Sequence, residues 1–564
     1  MSSAASRRLG GQCLVDQIAL HGTEIVFAVP GESYLAALEG LYHRAQDVRV
    51  ITCRHEAGAA NMAEAYGKLT GRPGIAFVTR GPGTCHATIG LHTAFQDSTP
   101  MILFIGQVAR DQVEREAFQE IDYRRMLGQV TKWTAEIPYA DRIPEFVSRA
   151  YHMAVSGRPG PVALALPEDM LTEYTDAGDM RHFVRAQSAP RPQDMTDLTQ
   201  MLMSAERPLA VLGGPGWTPA AAEDMRVFLE AWGLPAVTSF RAKDRLDNRH
   251  PLYAGDMGIG IDPQLNAAIG RSDLLVVIGA RLGEMTTDGY TRVAAPVPAQ
   301  ALVHVHPGAD ELNRVYQASL SIPASVEAFA AAARALKPAS APRWRAWAAD
   351  LRGGYERWIQ PVTCPGAVNP SQIFHWLNTH LPEDAILTNG AGNYAGWAHR
   401  FFLQKRLGTQ LAPTSGAMGY GLPAAVAAKA IHPERTVVAL AGDGCFMMAV
   451  QELATAVQHE LAIIVLVFNN NMYGTIRMHQ ERHYPAHVSA TSLRNPDFAA
   501  MAESYGALGL KVTRTEDFEA AFKAAQAAGR PALIELAIDP EAITPTTTLS
   551  AIRAKALQAK EHGL

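Results

Sequence analysis

Cysteine is scarce in this sequence of 564 residues, with five present at Cys13, Cys53, Cys85, Cys364 and Cys445. They form no CxxC pair and no even set, which argues against a structural zinc site or a disulfide framework and favours a reducing compartment. Long apolar runs are missing too. None approaches the roughly 20 residues needed to cross a bilayer, and the opening MSSAASRRLGGQCLVDQIALHG has no continuous apolar core of the signal-peptide kind. A cytoplasmic protein is expected. Nor is there an excess of one charge: 50 Lys and Arg stand against 55 Asp and Glu, a net of -5, and the basic residues are scattered. That leaves no electrostatic footprint for nucleic acid or an anionic membrane. A small-molecule substrate is the default.

What the chain has is length and buried strand pattern. Dividing by a typical domain of about 150 residues gives three or four domains, of which three are expected. Short apolar runs ending in Gly, Pro or polar residues read as parallel strands buried on both faces. IAFVT, MILFIG and VALALP, with the helical stretch from Glu56 to Leu69, place a first α/β domain at residues 1–180. The Pro- and Gln-bearing AQSAPRPQ reads as a linker. LAVLGG, LLVVIG and LVHVH mark a middle domain at 190–338, ended by LKPASAP. AILTNG, TVVALAGDG, AIIVLVFNN and ALIELAI mark the last, at 365–550. The fold class is α/β: three doubly wound parallel-sheet domains.

The stretch from Gly442 to Gly474 reads strand, GDG turn, helix (MMAVQELATAVQ), strand, NNN turn. In an open parallel sheet ligands lie outside the carboxyl ends of the strands, and this return brings Asp443 and Asn470 to one edge. A carboxylate, an amide oxygen and a backbone carbonyl suit Mg²⁺, with phosphate and water completing its shell. Gly442 and Gly444 let the chain approach a diphosphate, and a helix after them would offer N–H groups to it. A bare strand-to-helix turn followed by an ordinary loop is the alternative. GDG followed at this interval by NN resembles the cofactor signature of thiamine diphosphate (ThDP) enzymes. The resemblance covers nearly the whole chain. It implies that Asp443, Asn470 and the carbonyl of Met472 bind Mg²⁺, and that Gly392, Asn393, Gly416, Met418, Gly442, Gly444, Tyr473 and Gly474 line the cofactor.

In RHEAGAANMAEAYGKLTG, Glu56 opens a helix among small apolar residues, where desolvation disfavours the charged form of a carboxyl. A carboxylate complementing the helix dipole would look the same. RHE-x-G-A-A also resembles the first domain of ThDP enzymes, which implies that Glu56 bonds the aminopyrimidine ring and favours its imino tautomer. That nitrogen then serves as an intramolecular base toward the thiazolium C2. Attack on a 2-oxo acid and loss of CO₂ leave an enamine. TSGAMGYGLPAA resembles the segment supplying the apolar wedge beneath the bent cofactor, here Met418; an ordinary core methionine is the alternative. The family's site joins two subunits, which implies a homodimer or homotetramer.

Within the family, AFQEID, GQV and MGYGLPAA resemble the acetolactate (acetohydroxyacid) synthase large subunits. Phe118 and Gln119 match active-site residues of that group, and Arg281 matches an arginine for the second substrate's carboxylate. Departures accompany these matches. PGGA becomes Pro30, Gly31, Glu32, Ser33, making Ser33 a candidate substrate contact; RFDDR becomes Arg281, Leu282, Gly283, Glu284, Met285; PKD becomes Pro167, Glu168, Asp169. The second change, and a GGPG at Gly213 to Gly216 short of the full dinucleotide fingerprint, leave bound FAD not favoured. His479 stands where a substrate-selecting tryptophan is expected, placing a titratable ring at the pocket wall. His86 and His92 flank the TRGPGT turn and read either as proton donors near the cofactor or as satisfied structural histidines. The favoured function is a ThDP- and Mg²⁺-dependent carboligase joining a 2-oxo acid to a second carbonyl compound. A non-oxidative decarboxylase or carbon–carbon lyase is the alternative, and a non-catalytic ThDP-binding subunit the remote one.

Overall fold

The protein is described here by a computed structural model covering residues 7–562; the first six residues of the N-terminal stretch read above, and the last two of the chain, lie outside the described residues. Three six-stranded sheets, parallel in every strand pair, are built in chain order. The first uses Ile25–Ala28, Arg49–Thr52, Gly74–Val78, Met101–Gln107, Trp133–Glu136 and Pro161–Pro167, side by side in the order second, first, third, fourth, sixth, fifth. The third uses Ile386–Asn389, Gln410–Leu411, Val437–Gly442, Ile464–Asn469, Leu508–Val512 and Ala532–Ala537 in the same order. Both therefore reverse direction between their first and third strands, and there a crevice opens at the strand ends. The middle sheet runs third, second, first, fourth, fifth, sixth, the order of dinucleotide-binding folds.

Every run read as a strand is one, within two residues at either end. The strands are buried on both faces by helices. In the first sheet Val26, Ile75, Phe77, Ile102, Phe104, Val162 and Leu164 pack with Leu14, Val15, Ile18 and Val147 in one cluster. Each such side chain withdrawn from water contributes about 1.5–3 kcal/mol. On the opposite face the helix Glu56–Thr70 crosses Gly81–Asp97 so closely that a Cβ on Gly90 would come within 2.4 Å of Ala60. The run of small residues after Glu56 serves this crossing.

By contact the chain divides into two compact units. One holds the residues up to Ala186 together with Val426–His432 and Ala454–His459; the other holds Gln187–Ala425, Pro433–Leu453 and the chain from Glu460 onward. The first sheet lies in the former, the middle and third sheets in the latter. Among the described residues no helix is long and apolar enough to cross a membrane.

Candidate functional site

In the third sheet the crevice lies between Ile386–Asn389 and Val437–Gly442, where Asn389 pairs with Leu440. Gly390 and Asp443 follow directly. Asp443 is 3% exposed, and burial pushes its carboxyl pKa above the ordinary value. It accepts from the Gly444 N–H at 2.9 Å and from the Asn495 amide at 2.8 Å. The next strand places Phe468 beside Gly442, so Asn469 and Asn470 emerge at the same edge. The turn beyond is pinned by Tyr473 N–H to Thr491 O and Leu493 N–H to Asn471 O, and Met472 O accepts from Gly474 N–H at 2.9 Å. Asn495 also donates to Asn469 Oδ1 at 2.9 Å. It thus ties the acid to the turn, a role with no motif to reveal it. Gly444 is required by contact, since a Cβ there would lie 2.5 Å from the Tyr473 ring.

The single helix expected after GDG is instead two, Asp443–Met447 and Glu452–Gln458. Between them Ala449, Glu452 and Leu453 N–H groups bond three residues back, the tighter spacing that breaks an α-helical ladder. Across the crevice Gly392 has φ +146°, a backbone region reserved for glycine. Asn393 precedes the helix Tyr394–Phe401 and accepts from Thr475 Oγ at 2.9 Å. Gly416 turns with φ +71° and is exposed, and Met418 is half-buried against the third-sheet core.

Two middle-domain cations reach this helix and crevice, again without a sequence signal. Arg241 donates to Gly390 O at 3.1 Å. Lys243, 2% exposed, donates to His399 O and Phe402 O at the helix's carboxyl end, where a cation complements the dipole. Its burial pushes the amine pKa down to about 8.

In the first unit Glu56 starts its helix at the edge reached by Ile25–Ala28 and Gly74–Val78. Its side chain is 12% exposed, and Oε2 accepts from His86 Nδ1 at 2.8 Å. His55 caps the helix, Nδ1 accepting from Ala57 N–H at 3.1 Å, and its ring stacks on His86 with centroids 4.4 Å apart. The three side chains bring ligand atoms within 4.8 Å of one another, but stacked rings aim their lone pairs side by side rather than at one ion. Ser33 is fully buried and shares a 2.8 Å hydrogen bond with Thr79, while Glu32 is exposed. Phe118 is 71% exposed, and Gln119 has φ +66° with its carbonyl accepting from Gly81 N–H. His92 is half-buried.

Sequence comparison is consistent with this geometry. Three family models cover the chain: the N-terminal TPP binding domain of thiamine pyrophosphate enzymes at residues 8–126, their central domain at 195–333 and their C-terminal TPP binding domain at 390–536. The acetolactate synthase isozyme 2 large subunit of Escherichia coli is 30% identical over 94% of this chain and 95% of its own length. The chain belongs to the thiamine pyrophosphate enzyme family. Acetolactate synthase large subunits of Corynebacterium glutamicum (31% over 96% of this chain and 88% of that one) and Lactococcus lactis (29% over 89% and 88%) are similar along the same span.

Two sequence candidates of this ThDP enzyme remain. Arg281, in the middle domain, pairs with the buried Glu311 at 3.2 Å. His479 is exposed on the helix Gly474–His483, its ring pKa lowered by burial and then by Arg482. That helix is stapled to Leu549–Glu561. Glu481, its side chain 1% exposed, accepts from Arg553 at 2.6 and 2.7 Å and from Arg477 at 2.6 and 3.0 Å, and Arg553 foremost holds its carboxyl down at about 2. Because the folded value lies below the unfolded one, the unfolded chain binds the extra proton between them, and stability rises with pH across that window. The contribution, at most about 3 kcal/mol, is complete above pH ~4.5 and lost as pH falls toward ~2. We expect hydrogen-exchange protection of both helices, corrected for intrinsic rates, to fall over this range in the wild type and much less in Glu481→Gln. Parallel pH profiles would refute the assignment.

Proposed function

We propose that the protein is a ThDP- and Mg²⁺-dependent carboligase of the acetolactate synthase type, acting on a 2-oxo acid and a second carbonyl compound. The observation that carries this reading is the end-to-end similarity to acetolactate synthases, with no domain of the chain left over. The site residues fit the cofactor. A buried carboxylate whose neighbours are N–H donors is short of a positive partner, and a divalent cation is the species that supplies one. Asp443, Asn470 and the Met472 carbonyl, which keeps a free lone pair, are the proposed Mg²⁺ ligands. Gly392, Asn393, Gly416, Gly442, Gly444, Tyr473 and Gly474 are assigned to the diphosphate side. Met418 would pack against the cofactor, and Glu56 would hold a proton at its aminopyrimidine. When bound, ThDP supplies a carbon nucleophile and an electron sink that releases CO₂ from a 2-oxo acid.

Phe118 and Gln119 are assigned to the reacting end of the substrate. A homodimer or pair of dimers is the proposed assembly, supported by the exposed apolar Phe118, Met447, Met448 and Ile476 close in sequence to site residues. Arg281 is the weakest of the substrate assignments, because Glu311 already engages its guanidinium. The second reading, a decarboxylase or lyase, is supported by His479, an exposed titratable ring where the synthases resembled have an apolar wall for the acceptor. Incubation of the purified protein with ThDP, Mg²⁺ and a panel of 2-oxo acids, with and without aldehydes, separates the readings by product mass. Ligated hydroxyketones support the first, and aldehydes alone support the second.

The same assay tests His479. His479→Trp is expected to move products toward acetohydroxyacids, and His479→Ala to change kcat/KM at least about tenfold, near 1.4 kcal/mol. ThDP affinity stays constant in both. Wild-type product profiles and rates in both variants would assign His479 to a solvated helix face and return selectivity to Glu32, Ser33 or Phe118.

A further inference from the structure

The two carboxylate oxygens of Glu56 face different surroundings. Oε2 lies 2.8 Å from His86 Nδ1. Oε1 lies where a Cβ on residue 83 would come within 3.3 Å, and Gly83 has none. His86 is half exposed but held by a ring stack as well as by its bond to Oε2. It projects from the helix Gly81–Asp97, and its ring stacks on His55, which is committed to capping the helix Glu56–Thr70 through Nδ1. Burial lowers the pKa of His55, so the ring against His86 is neutral near pH 7 and the stack involves no repulsion between cations. A carboxylate can only accept, so the ring nitrogen facing Oε2 carries the proton.

We propose that His86 is a positioning residue for Glu56: donation from Nδ1 to Oε2 holds the carboxylate in one rotamer and leaves Oε1, beside Gly83, as the oxygen presented to the aminopyrimidine. This rests on the reading of Glu56 as the cofactor's acid. A glutamate side chain has three rotatable bonds, and among the described residues His86 is the hydrogen-bond partner that restrains them at the carboxylate. Anchoring one oxygen removes that freedom before the cofactor arrives, which is how a supporting hydrogen bond accelerates proton transfer without touching the reacting atoms. The same bond dictates the tautomer of His86. The proton sits on Nδ1, whereas His55 next to it carries its proton on Nε2.

Two readouts test the assignment, one without cofactor. In the apo protein labelled with ¹⁵N-histidine, the neutral His86 ring is expected to show a protonated Nδ1, changing to a protonated Nε2 in Glu56→Ala. With ThDP and Mg²⁺ bound, His86→Ala is expected to slow C2 hydrogen–deuterium exchange by about tenfold or more, a cost typical of a misplaced catalytic group. His86→Asn, whose amide places a donor near the position of Nδ1, restores the rate to within about threefold of wild type, and ThDP affinity is little changed in either variant. A protonated Nε2 on His86 in the wild type, or wild-type exchange in His86→Ala, overturns the proposal. If Glu56→Gln itself exchanges at the wild-type rate, the reading of Glu56 falls and the proposal with it. If Glu56→Gln is slow while His86→Ala is not, only the role of His86 is lost.

Discussion

Replacing Asp443 by alanine is expected to weaken Mg²⁺-dependent ThDP binding by about 100-fold or more, since removing even an outer-shell partner of a metal site costs 10–100-fold. The expectation follows from where the carboxylate sits. It is buried at the reversal point of the third sheet, and its ionised form is opposed by desolvation. The Gly444 N–H and the Asn495 amide that it accepts from are neutral donors, which compensate a buried charge only in part. A divalent ion held there would supply the missing positive charge, and alanine would remove the carboxylate proposed to hold it. Asn495→Ala is the graded control. It leaves the carboxylate but frees it from Asn469 and the NNN turn, so affinity falls by about tenfold, in the range of outer-shell substitutions. Calorimetry with ThDP and Mg²⁺ measures both, and Mn²⁺ titration by electron paramagnetic resonance measures the metal alone. Wild-type affinity in Asp443→Ala, with an unchanged thermal melt, would remove the metal site from this crevice.

The contrast between Asp443 and Asn495 shows what the sequence could reveal. Asp443 and Asn470 were legible because each terminates a buried apolar run, and the parallel sheet dictates that consecutive strand ends meet at one edge. Asn495 follows an irregular loop, Thr491–Leu493, that folds back on the turn through backbone bonds. Neither periodicity nor spacing announces such a return. Arg241 and Lys243 were hidden for the same reason: they follow the short strand Ala236–Ser239 and reach the crevice and a helix end more than a hundred residues away in the chain. Most of the longer buried strands were legible, as was the four-residue Ile386–Asn389, but Ile25–Ala28 and Arg49–Thr52 were not, because four residues sample little of either period. The repeated strand order of the first and third sheets was out of reach as well, since order depends on which crossover passes over which face. The helix after GDG was the reverse case. Its composition reads as continuous, but the bonds spaced three residues apart at Ala449 to Leu453 break it. What the sequence indicated about Glu56 was its position, a helix start among small residues. That those residues serve a close helix crossing, and that a histidine holds the carboxylate, are facts of packing.

Glu56→Gln is expected to slow C2 hydrogen–deuterium exchange on bound ThDP by about 10²–10⁴-fold, the range carried by a positioned acid–base group. The protein itself should tolerate the change. Glu56 is the first residue of its helix but not its cap; His55 satisfies the Ala57 N–H, so the helix start does not depend on the carboxylate. Glutamine has the same shape, and its amide oxygen can still accept from His86, so the side chain keeps its place. The remaining contribution of a carboxylate at this point, complementing the helix dipole, is worth about 0.3–1 kcal/mol. That is a small cost to a chain with cores as extensive as the one formed around the first sheet. What glutamine cannot do is share a proton: an amide neither takes nor returns one near neutral pH, so in the proposed role it would leave the aminopyrimidine without the partner that shifts its tautomer. Binding and chemistry therefore separate. ThDP affinity should stay within about tenfold of wild type, because the diphosphate side supplies most of the charge-assisted contacts, while exchange and turnover fall together. Loss of affinity matching the loss of exchange would make Glu56 a binding residue, and an unchanged exchange rate measured by quenched-flow NMR would mean that the acid lies elsewhere.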